Sequence, residues 1–465
     1  MVVGEMADRV DLLVVGGGPG GYTAAKHAAT LGASVLLVDS AGTQGLGGSC
    51  LHVGCIPSKA LIEVAGARRR VPEFGRLGIF TDAAEPEVDM GAFQSWKGEF
   101  VEQLTGQIAT AMKQARVVVQ EGTVRLSSTH RAVIQNDSGT PRFVEFDRAI
   151  IATGSRPATL PGLEVDQRRI LDSTGLLALT TVPRSIVVVG AGYIGIELGT
   201  ALAKLGAKVT MVEAGDRVLP GVPKAAIKPV LKRLAQLGVS VLTASQVRNV
   251  DDTGVNVVCA ENDLRHLAAE MVGVTVGRVP NTDELGLASA DVAVGARGLI
   301  DVDASCRARP HIAAVGDVTP GPALAHRAIA QARVAAEALC GKDTHFDAMA
   351  IPAVVFSDPE VAYVGLTAED GIAQGIEVRT VSFPIKASGR ARTLNETSGS
   401  TTLTVESGTD RILGAQIVGP HASEIIGHCA LAIEMDATAT DLALTILPHP
   451  TMSETVMDAA AAYAG

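Results

Sequence analysis

Asp11-Leu-Leu-Val-Val-Gly16-Gly-Gly18-Pro-Gly-Gly21 decides the fold, because the chain uses this pattern twice. It returns as Ser185-Ile-Val-Val-Val-Gly190-Ala-Gly192-Tyr-Ile-Gly195. Each copy reads as an apolar strand, a G-x-G-x-x-G turn, a helical stretch with a Leu-Gly stop, and a second strand. An acid closes each second strand, Asp39 in one copy and Glu213 in the other. Gly16 and Gly190 are 174 residues apart, and so are Asp39 and Glu213. A lone glycine-rich turn is weak evidence of a nucleotide site. Two copies in one register, each with strand, helix and acid in place, point to two dinucleotide sites.

The mechanics of the unit are specific. The first glycine makes the tight turn, the second lets backbone approach a pyrophosphate, and the third lets helix pack closely on strand. The helix N-terminus offers free N–H groups and partial positive charge to phosphates. The terminal acid binds ribose hydroxyls, and a carboxylate at Glu213 opposes the extra phosphate of NADP, which favours NAD. Arg217 lies close enough in sequence to keep NADP as an alternative.

Working outward, Ile150-Ile-Ala-Thr153-Gly154-Ser155-Arg-Pro reads as a short strand into a turn before the second unit. Glu270 to Gly277 is a similar strand and turn after it, so the second unit looks inserted. His311 to Asp317 returns to a buried strand ending in an acid. From about Phe346 the texture changes to alternating strands, such as 401–405 and 412–419, followed by two helices. That predicts a separate α+β domain. A chain of 465 residues exceeds a single ordinary core. Aromatics make up only 3% of it, so the core must be aliphatic, which suits buried parallel strands.

Net charge is −11, which argues against nucleic-acid binding. Arg68-Arg69-Arg70 is the one dense basic run and reads as a solvated helix face. No stretch of about 18 residues looks continuously apolar, which predicts no membrane span. The start of the chain lacks the basic region and cleavage site of a signal peptide, so a cytoplasmic protein is expected.

The chemistry is concentrated in Gly47-Gly-Ser-Cys50-Leu-His-Val-Gly54-Cys55-Ile-Pro-Ser-Lys59. Cysteines five apart on a regular helix would have Cα atoms roughly 8–9 Å apart. A disulfide needs less than about 7 Å. The backbone must therefore distort, and Gly54 and Pro57 suit that. A zinc site would want C-x2-C spacing and further ligands, and no metal is expected. Inert buried thiols remain the plain alternative to a redox pair. Cys259, Cys306, Cys340 and Cys429 stand alone and read as small core residues.

This segment resembles the redox centre of the pyridine nucleotide–disulfide oxidoreductases, and its C-L-x-V-G-C-I-P-S-K form is similar to the dihydrolipoamide dehydrogenase branch. The resemblance runs from Asp11 to Glu454 and includes Gly316-Asp-Val, Leu324-Ala-His326, Pro359-Glu-Val-Ala-Tyr-Val-Gly365 and His449-Pro-Thr-Met-Ser-Glu454. It implies an α/β protein with two Rossmann-like dinucleotide-binding domains, for FAD and NAD, and a C-terminal α+β dimerisation domain. The expected boundaries are 1–149 with 272–345 for FAD, 150–271 for NAD, and 346–465 for the interface of a homodimer.

By the same resemblance, Gly16, Gly18, Gly21 and Asp39 hold FAD, with Thr153, Gly154, Ser155, Asp317, Leu324, Ala325 and His326 around it. Gly190, Gly192, Gly195, Glu213 and Gly277 belong to the nicotinamide side. Lys59 and Glu197 match a pair near the flavin ring. Cys50 and Cys55 match the redox disulfide. His449, steadied by Glu454, matches a base supplied by the other subunit.

The implied reaction is oxidation of dihydrolipoyl groups through Cys50–Cys55 and FAD to NAD. Lipoyl domains of 2-oxo acid dehydrogenase complexes or of a glycine cleavage system are the expected partners. The rivals are a reductase of glutathione-like disulfides and a flavoprotein scaffold without turnover. Ser49, His52 and Asp358 depart from the usual residues, and Leu447-Pro448 replaces the usual His-Ala before the base.

Overall fold

The computed structural model describes residues 8–79, 86–136 and 139–464. It divides into two compact units: 1–60 with 89–158 and 277–347, and 61–88 with 159–276 and 348–465.

In the first unit, strand Asp8–Val15 lies between Val35–Asp39 and Arg142–Ile151, parallel to both. Val118–Glu121 and Ile312–Ala314 extend the parallel ribbon on either side. Both faces of this ribbon are buried. Leu12, Val14, Leu37 and Ile150 face the alanines of helix Pro19–Thr30 and of helix Ala325–Leu339. Leu13, Val15, Leu36 and Ile151 line the opposite face. Small alanines at Ala24, Ala25 and Ala28 bring the helix close to the sheet, which explains an aliphatic core with so few aromatics.

The second unit repeats the arrangement. Ser185–Val189 lies between Lys208–Val212 and Met271–Val274, all parallel, with helix Tyr193–Lys204 following the turn. An antiparallel three-stranded sheet, 246–268, stands beside it in sequence. The same unit contains an antiparallel five-stranded sheet in the order 353–355, 361–365, 412–418, 400–406, 378–384. Its core is closed by helices Ala422–Glu434 and Glu454–Ala464. A further short helix, Ala439–Leu444, sits between these two, where two helices were expected in all.

The expected boundaries near 150 and 272 fall inside strands. Arg142–Ile151 belongs to the first sheet and Met271–Val274 to the second, so the crossings come later, after Ala158 and before Gly277. The helical run 48–75 is long and apolar enough to cross a membrane by length and composition alone. It breaks at Gly54 and carries Arg68-Arg69-Arg70, and a membrane span is not its evident use.

Glycines in this fold separate into two kinds. A Cβ on Gly195 would lie 2.0 Å from the Gly190 carbonyl oxygen, whereas one on Gly66 would meet nothing within 4 Å. Gly195→Ala should therefore destabilise the protein by about 1–3 kcal/mol through overpacking. Gly66→Ala, inside helix Cys55–Arg70, should stabilise it by about 0.5–1 kcal/mol. Denaturant midpoints of the two variants test this, and equal shifts would refute it.

Candidate active site

Both nucleotide turns have the same construction. Gly16 and Gly190 take φ of +100° and +95°, the left-handed region that favours glycine. Glycines N-cap both following helices, and neither helix has a side-chain cap. Their first N–H groups are left for a ligand rather than a side chain. The acids repeat as well. Asp39 Oδ2 accepts from Gly17 N at 2.8 Å and Glu213 Oε2 from Ala191 N at 2.8 Å. Each carboxylate thus lies at the strand end beside its turn, where a ribose would be bound. No Cβ contact lies within 4 Å of Gly192, and the nearest to Gly18 is at 4.0 Å, so backbone there is open to close approach. The cradles fit two dinucleotides. Arg217, the residue that kept NADP open, donates to the carbonyls of Val222 and Pro220.

Around the first turn the other expected residues come together. Ser155 Oγ donates to Asp317 Oδ2 at 2.5 Å. Thr153 and Asn281 exchange two hydrogen bonds, Oγ1 to the Asn281 carbonyl at 2.6 Å and Nδ2 to the Thr153 carbonyl at 3.0 Å. Leu324 N-caps helix Ala325–Leu339 without a side-chain cap, so Leu324, Ala325 and His326 form a further helix start in the same unit. Gly277 takes φ of +122° and its carbonyl accepts from Ala158 N.

Sequence reading missed the residues that fix this region. Arg278 Nε donates to Ser155 Oγ at 2.7 Å. Arg327 is buried and donates to the Pro320 and Pro322 carbonyls and to Thr319 Oγ1. Burial depresses its pKa from the ordinary arginine value. Gln331 Oε1 accepts from Gly316 N at 2.9 Å. Together Arg327 and Gln331 pin the loop that carries Asp317. The helical spacing of Arg327 and Gln331, four apart, was the only available signal.

The cysteines lie where the spacing demands a break. One helix ends at Val53, Gly54 takes φ −138° and ψ −114°, and the next helix starts at Cys55. A Cβ on Gly54 would lie 2.7 Å from the Ser49 carbonyl oxygen, so the kink is reserved for glycine. The break brings the two thiols into hydrogen-bonding reach of each other. That hydrogen bond to Cys55, then burial, push the Cys50 thiol well up, while the Lys59 ammonium pulls it down. A negative Cys55 therefore opposes ionisation of Cys50. Lys59 also donates to Ser58 Oγ at 3.3 Å. His52 Nε2 donates to the Leu46 carbonyl at 3.0 Å, so that nitrogen carries the proton.

His449 and Glu454 belong to the second unit. His449 Nδ1 is 2.8 Å from Glu454 Oε1, and Thr451 N donates to Oε2 at 2.7 Å. The Thr451 N–H and the imidazole hold the Glu454 carboxyl below its ordinary value. Its place in the first turn of helix Glu454–Ala464 favours the charge further. The carboxylate fixes the tautomer with the proton on Nδ1, and Nε2 is left to accept one. The imidazole is 80% exposed. Glu197, in contrast, is buried, with Oε1 accepting from Phe356 N at 2.9 Å.

Two dinucleotide cradles, a dithiol at a helix break and an exposed His–Glu pair define a nucleotide-dependent disulfide oxidoreductase. Residues 10–332 match the pyridine nucleotide-disulphide oxidoreductase family and residues 351–460 match its dimerisation domain. The chain belongs to this family. It is 45% identical over 464 residues to the dihydrolipoyl dehydrogenase of Geobacillus stearothermophilus, covering 99% of this chain and 97% of that one. Identity to the Bacillus subtilis dihydrolipoyl dehydrogenase is 42% over 465 residues, with the same coverage. Among solved structures, LpdA of Mycobacterium tuberculosis superposes with a TM-score of 0.90 at 28% identity, covering 98% of this chain and all of that one. The HOCl-induced flavoprotein disulfide reductase RclA of Escherichia coli follows at 0.85 and 26%, covering 97% and 99%.

Removing Cys55 removes the largest influence that holds the Cys50 proton. In the reduced Cys55→Ala variant, alkylation of Cys50 by iodoacetamide at pH 8 should run several-fold faster than in Cys55-containing protein stripped of flavin, about threefold or more. Peptide mass spectrometry reads it, and an unchanged or slower rate would refute the coupling.

Proposed function

We propose that this protein is a dihydrolipoyl dehydrogenase, oxidising dihydrolipoyl groups to the cyclic disulfide with NAD as final acceptor. The observation that carries the reading is the Cys50–Cys55 pair, held across the Gly54 break beside Lys59 in the same unit as the first nucleotide turn. FAD belongs against Gly16, Gly18, Gly21 and Asp39, with Thr153, Gly154, Ser155, Asp317, Leu324, Ala325 and His326 around it. NAD belongs against Gly190, Gly192, Gly195, Glu213 and Gly277. Bound there, the two cofactors supply a two-electron path from the dithiol to a hydride acceptor. The preference for NAD over NADP is supported by the carboxylate of Glu213 and by Arg217 being turned to loop carbonyls.

The residues of the chain do the thiol chemistry. Cys50 and Cys55 start as a disulfide. His449 Nε2 takes a proton from a substrate thiol, and the Glu454 carboxylate stabilises the resulting imidazolium. The substrate thiolate attacks Cys50 Sγ, forms a mixed disulfide and releases Cys55 as a thiolate. The second substrate sulfur, deprotonated in turn, attacks the first, closes the lipoyl ring and releases Cys50, which takes up a proton. The raised Cys50 thiol favours this division, with Cys55 ionised and Cys50 protonated, and outweighs the downward pull of Lys59 on Cys50. Lys59 and Glu197 serve the flavin side.

The working protein is a homodimer in which His449 of one copy serves the cysteines of the other. Its layout is an FAD part, an inserted NAD part and a C-terminal interface part. Its partners are lipoyl domains of a 2-oxo acid dehydrogenase complex or a glycine cleavage system, and its place is the cytoplasm.

Purified protein should be yellow and reduce NAD with free dihydrolipoamide. Cys50→Ser should abolish turnover and His449→Ala should lower it by about 10²–10⁴-fold, the usual reach of a general base. NADPH with glutathione disulfide, run in parallel, should give little. Turnover confined to that second pair would overturn both the substrate and the reading of Glu213.

A further inference from the structure

The helix that opens at the second nucleotide turn, Tyr193–Lys204, is held at two points by one short segment of the C-terminal part. Glu197 and Lys204 are seven residues apart, two helical turns, and so lie on one face about 10.5 Å apart. Glu197 Oε1 accepts from Phe356 N at 2.9 Å. Lys204 Nζ lies 2.8 Å from Asp358 Oδ2. Phe356 and Asp358 belong to the turn between strands Ala353–Val355 and Val361–Gly365. This turn is itself rigid, because Ser357 is buried and donates to the Pro359 carbonyl at 2.7 Å. The second oxygen of Asp358 pairs with Arg233 Nε at 3.1 Å, on helix Lys224–Gln236. The Lys204 and Asp358 side chains are only 12% and 18% exposed, so the pair is shielded and geometrically tight rather than a loose surface contact. Neighbouring Glu396 has its carboxyl pushed up by burial and by Asp358, which places all these charges in one poorly solvated pocket.

We infer that Asp358 and Lys204 are positioning residues for the nicotinamide nucleotide, with the 356–358 turn setting where the N-terminus of helix Tyr193–Lys204 meets the pyrophosphate. The inference rests on the assignment of NAD to Gly190, Gly192 and Gly195. Glu197 anchors the helix one turn from its open end, and the Lys204 arm tightens its far end, where Arg68 Nη1 also donates to the Lys204 carbonyl at 2.7 Å. Losing the Lys204 arm loosens that end, and a small shift of the helix relative to Glu197 displaces the cradle at Gly192. A ligand bound by backbone N–H groups loses affinity steeply under such displacement.

The test uses the FAD-loaded dimer and ADP-ribose, which fills the nucleotide turn without redox chemistry. Lys204→Met leaves Asp358 paired with Arg233, so no charge is stranded. Calorimetry should show its Kd for ADP-ribose raised about tenfold. Asp358→Glu, which keeps every charge but lengthens the arm, should give an intermediate rise of about threefold. Arg233→Met, which leaves the Lys204 tether in place, should stay within about twofold. Amides of residues 193–204 should exchange faster in Lys204→Met. Flavin reduction by dihydrolipoamide without NAD should match the parent within about twofold. Parent-like ADP-ribose binding in both Lys204→Met and Asp358→Glu would overturn the inference, as would an equal loss in the dihydrolipoamide half-reaction. A parent that does not bind ADP-ribose at all would sink the NAD assignment and this inference with it.

Discussion

In each nucleotide fold the helix comes so close to the turn before it that a side chain cannot stand between them. A Cβ at Gly21 would lie 1.7 Å from the Gly16 carbonyl oxygen, and one at Gly195 2.0 Å from that of Gly190. Gly16 and Gly190 in turn sit against backbone, at Ala152 and Thr275. This double contact sets helix, turn and neighbouring strand in one fixed relation. The uncapped helix N-terminus and the strand-end acid then lie beside the same turn. Everything that binds a dinucleotide here follows from backbone geometry that only glycine allows.

The redox pair follows the same logic in miniature. Two cysteines five apart cannot meet on an unbroken helix, and the break at Gly54 is what lets them meet. Because Gly54 would clash with the Ser49 carbonyl if it carried a Cβ, the distortion is written into the chain. Lys59 comes one helical turn after Cys55, and its charge pulls the Cys50 thiol down. The His449–Glu454 pair is built on different means, a carboxylate at a helix start that holds an exposed imidazole in one tautomer.

What could be read from sequence was whatever sits at fixed short spacing. The duplicated turns, the acids that close their second strands, the cysteine spacing and the five-residue step from His449 to Glu454 all qualify. What escaped was long-range partnership. Nothing near Ser155 announces Arg278, 123 residues away. Nothing near Asp317 announces that a buried Arg327 and Gln331 hold its loop, since both read as ordinary polar positions of an amphipathic helix. Asp358 was visible only as an unusual residue, and its partners Lys204 and Arg233 lie more than a hundred positions back. One strand was assigned to the wrong side of the insertion for a related reason. The run before Gly277 is as apolar as a returning strand of the first sheet, and only pairing with Val187, Val188 and Val189 assigns it to the second.

The full-length likeness to dihydrolipoyl dehydrogenases and the geometry meet on one requirement, that the cysteine pair carries electrons as well as the flavin. Anaerobic reductive titration of the oxidised holoprotein tests it directly. Uptake of about four electron equivalents per chain, two by the disulfide and two by the flavin, is the expected result, falling to about two in Cys50→Ser. Uptake of about two by the parent, indistinguishable from the variant, would contradict it.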